Sequence, residues 1–142
     1  MTIYPHLSLL LDALSKGLDQ PILAYANIEQ VTLQGTPSIF LIPEEMSVLQ
    51  TISNVRAITA FRMKQEWSIL TVLRDSSDQN VTEPLITQLG EWQAKIVQIL
   101  MKDVLISGGP IQLIDFPKNE SIGGGAIAGR IRIATQFVFN AE

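Results

Sequence analysis

Leucines at positions 7, 10, 11, 14 and 18 recur with the spacing of one helical face, while Ser8, Asp12, Ser15 and Lys16 fall on the other. The pattern predicts a helix over 5–18, with Pro5 suited to a first turn and Gly17 to an end. Two long extended stretches follow, 28–45 and 57–74, separated by 46–56. Folded as one hairpin centred near Thr51, they bring odd positions to a common face: Val31, Leu33, Ile39 and Leu41 with Phe61, Met63, Trp67, Ile69 and Leu73. The even positions Gln30, Thr32, Gln34 and Ser38 then join Arg62, Lys64, Glu66 and Ser68 on a polar face. Apolar meets apolar and polar meets polar, which is what fixes a register. At roughly 3.3 Å per residue one such arm spans about 50–60 Å. A break is therefore expected, and Gly35 and Pro37 are where it should fall. A projecting two-stranded ribbon is not stable by itself, so its tip needs a neighbour.

A second helix is predicted from about 81 to 102, with Leu85, Leu89, Trp92, Ile96, Ile99 and Leu100 on its apolar stripe. Asn80 with Glu83, or Thr82 with Pro84, would cap it, and 75–80 reads as a polar loop. Gly108, Gly109 and Pro110 stop any continuation. A short strand at 111–116, a loop at 117–125 and a closing strand at 129–140 complete the chain. In the closing strand Ile131, Ile133, Thr135, Phe137 and Phe139 alternate with Arg130, Arg132, Ala134, Gln136 and Val138, as a half-buried strand does. The expected fold is α+β: one domain over 1–142, with a single mainly antiparallel sheet, a long β-hairpin and two helices on one face. Leu10, Leu14, Trp67, Leu89, Trp92, Ile96, Ile133 and Phe137 are expected to share one core.

Composition narrows the function classes. The chain is 46% hydrophobic and 17% charged, a globular balance with few charges, as suits a subunit that hides surface in an oligomer and equally a plain domain. Ten Lys and Arg against fourteen Asp and Glu give a formal charge of −4, with no basic run to bind nucleic acid through counterion release. With no cysteine, disulfides, thiol chemistry and thiolate metal sites are excluded. The single histidine, His6, rules out a two-histidine metal site and reads as a surface or capping residue. The N-terminal segment has no basic stretch ahead of an apolar run, and 7–14 is too short for a membrane span, so a cytoplasmic protein is expected.

No catalytic constellation emerges. The run from Gly124 to Gly129 followed by Arg130 and Ile131 is the nearest thing to a phosphate loop, but it lacks Lys-[Ser/Thr] and opens a strand instead of a helix. The acidic loop at 75–80 lacks the spacing of a calcium loop. Glu44 and Glu45 are adjacent in a strand and point apart, so they read as edge charges, not an acid/base pair. No cofactor is expected. Arg62 with Lys64, and Arg130 with Arg132, form cationic pairs on polar strand faces. They are candidates for a subunit interface, with Glu44, Glu45 or Asp78 as acidic counterparts on a neighbour. Met46, Val48, Leu49 and Ile52 have no obvious place in a small core. Together with Gly123, Gly124 and Gly125 they are candidate mobile docking loops, ordered by partners.

The order of these elements, through 7–18, 31–73, 85–100 and the glycine-rich ending at 123–139, resembles the tail terminator (tail completion) proteins of long-tailed bacteriophages. The resemblance lies in order and size, without a diagnostic motif. It implies a homo-oligomeric, hexameric ring that caps the tail tube, ends its polymerisation and meets the tail tube protein and a neck or connector protein. It also implies location in the virion tail after assembly in the host cytoplasm, with DNA passing through the ring without sequence-specific binding, no membrane and no enzymatic activity. The rival expectations are another neck or head–tail joining ring component, or a small cytoplasmic ligand-binding domain or enzyme.

Overall fold

Trp67 to Leu73 form an unbroken run of seven buried residues, so the strand that carries them is covered on both faces. This strand is the middle of the sheet. The computed structural model describes residues 4–23, 37–74, 83–103, 111–123 and 125–140. The elements are α1 (Leu7–Leu18), β1 (Ser38–Ser53), β2 (Ile58–Arg74), α2 (Glu83–Asp103), β3 (Gln112–Asp115), β4 (Glu120–Gly123) and β5 (Ala126–Asn140). The strands run in the order β1-β2-β5-β3, with β4 also paired to β5, and every ladder is antiparallel. The fold is α+β, as the periodicities imply.

Pairing of β2 with β5 is continuous from Ala60↔Asn140 to Arg74↔Ala126, joining odd positions with odd. Trp67 faces Ile133 and Ile69 faces Ile131 across this ladder. Both helices cover the face these residues share. Leu10, Leu14 and Leu18 of α1 and Ile96 and Leu100 of α2 pack with Ile39, Leu41, Trp67, Ile69, Ile131 and Ile133 in the main core. The first turns of α2 make a second cluster, Leu85 and Leu89 against Leu73 and Ile127. Of the eight expected core residues, five lie in the main core and Leu89 in the second cluster. Trp92 is half-buried between the two clusters, and Phe137 is buried farther along the sheet. Gly17 lets the helices meet: an added Cβ would lie 2.5 Å from Ile99 Cδ1.

The hairpin differs from its predicted register. Ser38 pairs with Val72, so β1 runs on through 46–53, and the turn falls at 54–57 instead of around Thr51. Asn54 makes that turn. Its Oδ1 accepts the backbone N–H groups of Arg56 and Ala57, each at 2.9 Å, and its own N–H donates to the Ala57 carbonyl. Met46, Val48, Leu49 and Ile52 therefore sit in a strand, not in a loop. The strand opens directly after Pro37, one of the two positions expected to break it; Gly35, Val31, Leu33 and the even positions up to Gln34 lie outside the described residues, as do the 75–80 loop, its caps and Gly108 to Pro110.

Two bulges interrupt β1. One extra residue is accommodated at Glu44/Glu45, between Pro43↔Trp67 and Met46↔Gln65, and another at Leu49, between Val48↔Met63 and Gln50↔Arg62. Each bulge inverts the parity of the strand. The first turns Met46 and Val48 onto the helix-bearing face with Met63, and the second sends Gln50 to the opposite face with Arg62. Pro43 sits where its missing N–H costs nothing, because the N–H of Leu41, two residues earlier, points outward to the Leu23 carbonyl.

The even face is polar only in part. Toward the base, Phe40, Leu70, Val72 and Ala128 are buried there with Ile42 and Ile122 packed on them. The glycine-rich segment is also more structured than expected. β4 forms inside the predicted loop, Gly123 pairs with Ala126, and Gly125 is buried at φ 74°, a conformation that favours glycine. Gly123 and Gly125 thus belong to a tight β4–β5 connection, and Gly124 lies outside the described residues.

Candidate functional site

The strands outrun the helices. On the helix-bearing face the strand residues of the main core end at Leu41, Trp67 and Ile133. Beyond them Met46 and Val48 of β1, Phe61 and Met63 of β2, and Phe137 and Phe139 of β5 line an open, wholly apolar concavity of about 250 Å³. The ladders explain the grouping, since Val48 pairs with Met63, Met63 with Phe137 and Phe61 with Phe139. Without the bulge at Glu44/Glu45, Met46 and Val48 would face the other way.

A polar seam separates this surface from the core. The Trp67 indole N–H donates to Thr135 Oγ1 at 3.0 Å. Gln65, buried on the same face, donates from Nε2 to the Glu44 carbonyl at 3.1 Å and the Glu66 carbonyl at 2.6 Å. The first of these bonds ties β2 to the bulge that aims Met46 and Val48. His6, expected at the surface or as a cap, is a cap by position and is buried: its ring meets Phe137 edge-on, 6.0 Å between centroids and 89° between planes. It holds the N-cap position of α1, so the helix start abuts the edge of the apolar surface.

On the opposite face the predicted interface charges largely pair within one chain. Arg130 reaches Glu44 at 3.4 Å, across β2. Arg132 bonds Asp115 of β3 at 2.9 Å and Glu66 at 3.6 Å, and Lys64 meets Glu66 at 3.7 Å. These contacts give Arg130, Arg132, Lys64 and Glu44, four of the candidate interface charges, partners within the chain. Each group already has an internal counter-charge, since long-range register brings 44, 66, 115, 130 and 132 together. Arg62 and Glu45 differ. Both are exposed, and among the described residues neither has an ion pair.

Among the described residues no group of three or more His, Asp or Glu is placed to hold a metal ion, and no helix is long and apolar enough to cross a membrane. What the geometry offers is surface: an apolar floor at one end of a three-stranded ribbon, and unpaired charges on the reverse side. Sequence reasoning missed Phe61, Met63, Phe139 and Gln65 as site residues, although the odd-numbered stripe of Phe and Met was visible. The absent information was where the helices would stop covering that stripe. Compared with known proteins, the chain matches no family model and no curated sequence.

Proposed function

We propose that this chain is a non-enzymatic structural subunit of a hexameric ring at the end of a long-tailed bacteriophage tail. The ring would cap the tail tube, end its polymerisation and join it to the neck, with DNA passing through its centre. One observation carries the reading: the wholly apolar concavity of Met46, Val48, Phe61, Met63, Phe137 and Phe139 lies past the strand residues that the helices cover and opens outward, with His6 at its edge. An open hollow with a wholly apolar lining suits the apolar side chain of a partner. The order of helix, long hairpin, helix and closing strands supports the family resemblance. With no cysteine and one histidine, the chain has no thiol chemistry and a single imidazole, which suits an assembly role. The net charge of −4 suits a channel through which a polyanion slides without sticking.

Electron microscopy of particles assembled without this protein tests the proposal. Tails of uncontrolled length, detached from heads, are expected. Uniform tails still joined to heads would rule the terminator role out.

A further inference from the structure

We infer that the distal β1–β2 hairpin has a second, bulge-free register, and that exchange between the two registers decides which side chains of β1 line the apolar concavity. The base of the hairpin is anchored, its distal part far less so. Ile39, Phe40 and Leu41 are buried in β1, whereas from Glu44 to Ser53 no residue of the strand is fully buried, and only Met46 and Ile52 are half-buried. A register is held by the apolar side chains that a strand buries on one face, so this stretch is weakly specified. It also carries every irregularity of the ladder: one extra β1 residue at Glu44/Glu45, another at Leu49, and a further shift between Ile52 and Ser53.

At its base the ladder runs without a break from Ser38↔Val72 to Pro43↔Trp67. Carried on in the same step, it would pair Glu45 with Gln65, Met46 with Lys64, Ser47 with Met63, Val48 with Arg62 and Leu49 with Phe61. It would close at Ser53 against Ala57, leaving Asn54, Val55 and Arg56 as a three-residue loop, a common hairpin length. Residues opposite each other in a ladder share a face. Met46 and Val48 would then leave the concavity for the opposite face, beside the stems of Lys64 and Arg62. Ser47 and Leu49 would take their places. Phe61, Met63, Phe137 and Phe139 stay in the floor either way, because the β2–β5 ladder is continuous.

Three local features select the bulged register. Gln65 Nε2 donates to the Glu44 carbonyl at 3.1 Å. The N–H of Leu41 points away from β2, so in an unbroken ladder Glu44, three residues on, would turn its carbonyl inward to Glu66 and away from that bond. Asn54 Oδ1 accepts the N–H groups of Arg56 and Ala57, each at 2.9 Å, and so fixes the present turn. Glu45 is exposed at the bulge, whereas in the other register it would face buried Gln65, where a carboxylate is disfavoured. Against these stand the ladder bonds that the bulges forfeit and the apolar pair of Leu49 with Phe61. The distal hairpin is thus a two-state element, and Met46 and Val48 belong to the floor in only one state. Anything that fills the concavity by touching them holds the bulge in place. The inference concerns a single chain and does not rest on the tail reading.

Intrachain disulfides read the register, because the chain has no cysteine of its own. Val48→Cys with Met63→Cys joins residues paired in the bulged register, at the separation of about 4.5–5.5 Å between Cα atoms that suits a disulfide. Ser47→Cys with Met63→Cys reports the other register, since Ser47 now pairs with Lys64 and points to the opposite face. In a glutathione redox buffer the first pair is expected to close in most chains and the second in a small fraction. Glu45→Val or Gln65→Leu should raise the equilibrium constant for closing the second pair about tenfold, and should not raise that of the first. Val48→Cys with Arg62→Cys repeats the reading on the opposite face should Met63→Cys disturb the strands. No intrachain closure of either second-register pair in the Glu45→Val background overturns the inference. So does closure that neither Glu45→Val nor Gln65→Leu increases, or a Val48–Met63 pair that fails to close. Uniform tails in particles lacking the protein would sink the tail reading and leave this inference intact.

Discussion

The indole N–H of Trp67 donates to the hydroxyl of Thr135 at 3.0 Å, with both side chains closed off from water. The pair spans the β2–β5 ladder diagonally, since Trp67 lies opposite Ile133 and Thr135 opposite Gln65. A buried indole without an acceptor carries a desolvation penalty that a phenyl ring does not. Thr135→Val should therefore cost about 1–3 kcal/mol. In a Trp67→Phe background the same substitution should cost much less. Denaturant melts of the four proteins give the coupling, and strictly additive losses would show that the bond contributes nothing.

Two glycines in helices should respond oppositely to alanine. Alanine favours a helix by about 1 kcal/mol over glycine. At Gly90 no atom lies within 4 Å of an added Cβ, so Gly90→Ala should raise stability by about 0.5–1 kcal/mol. At Gly17 the Cβ would meet Ile99 Cδ1 at 2.5 Å and Cγ1 at 2.7 Å. Overpacking of this kind costs about 1–3 kcal/mol, which outweighs the propensity gain. Gly17→Ala should lower the melting temperature, and Ile99→Val should recover part of the loss.

Trp92 is half-buried, packed between the two core clusters, with the Lys95 ammonium 4.6 Å from its ring centroid. Trp92→Ala should cost about 2–3 kcal/mol, below the 3–5 kcal/mol expected for fully buried Trp67→Ala. Equal losses in thermal melts would contradict that ranking.

Gln65 donates to two backbone carbonyls from a buried position. In Gln65→Glu a carboxylate would face those same oxygens, so its pKa in the folded state should lie well above the ordinary value of about 4.3. The folded form then holds a proton that the unfolded form releases, and stability falls as pH rises. A shift of about 2–3 units corresponds to a loss of about 3–4 kcal/mol at pH 7. The deficit should fade below about pH 4. A deficit independent of pH between 4 and 7 would show that the carboxylate escapes to solvent.

The helical stripe at Leu7 to Leu18 and the alternation from Ile131 to Phe139 depend on near neighbours, and both elements were legible in the sequence. The hairpin was misplaced along its length because pairing every odd residue with an odd one is satisfied by any even shift. Ser38 against Val72 keeps the parity that a turn at Thr51 would also keep. Asn54, whose side chain builds the turn, was the local signal that distinguishes them. The bulges at Glu44/Glu45 and Leu49 were hidden, although the apolar positions step from Ile39 and Leu41 to Met46 and Val48, a change of parity that announces one. The pairing of Arg130 with Glu44 joins residues 86 positions apart and depends on three strands being in register, so no local pattern could reveal it.

The central ladder also sets a clock. β2 ends at Arg74 and its partner β5 opens at Ala126, so about fifty residues must be synthesised before the two can meet. At translation speeds of about 5–20 residues per second, that is on the order of 3–10 s. During this interval the β1–β2 hairpin has no β5 beside it, and until Asp103 has been added it has no complete α2 over it. Trp67, Ile69 and Leu73 on one side and Phe40, Leu70 and Val72 on the other are then accessible to chaperones and to other nascent chains. Conditions that slow elongation across 75–125 should thus lower the yield of folded protein more than equal slowing elsewhere.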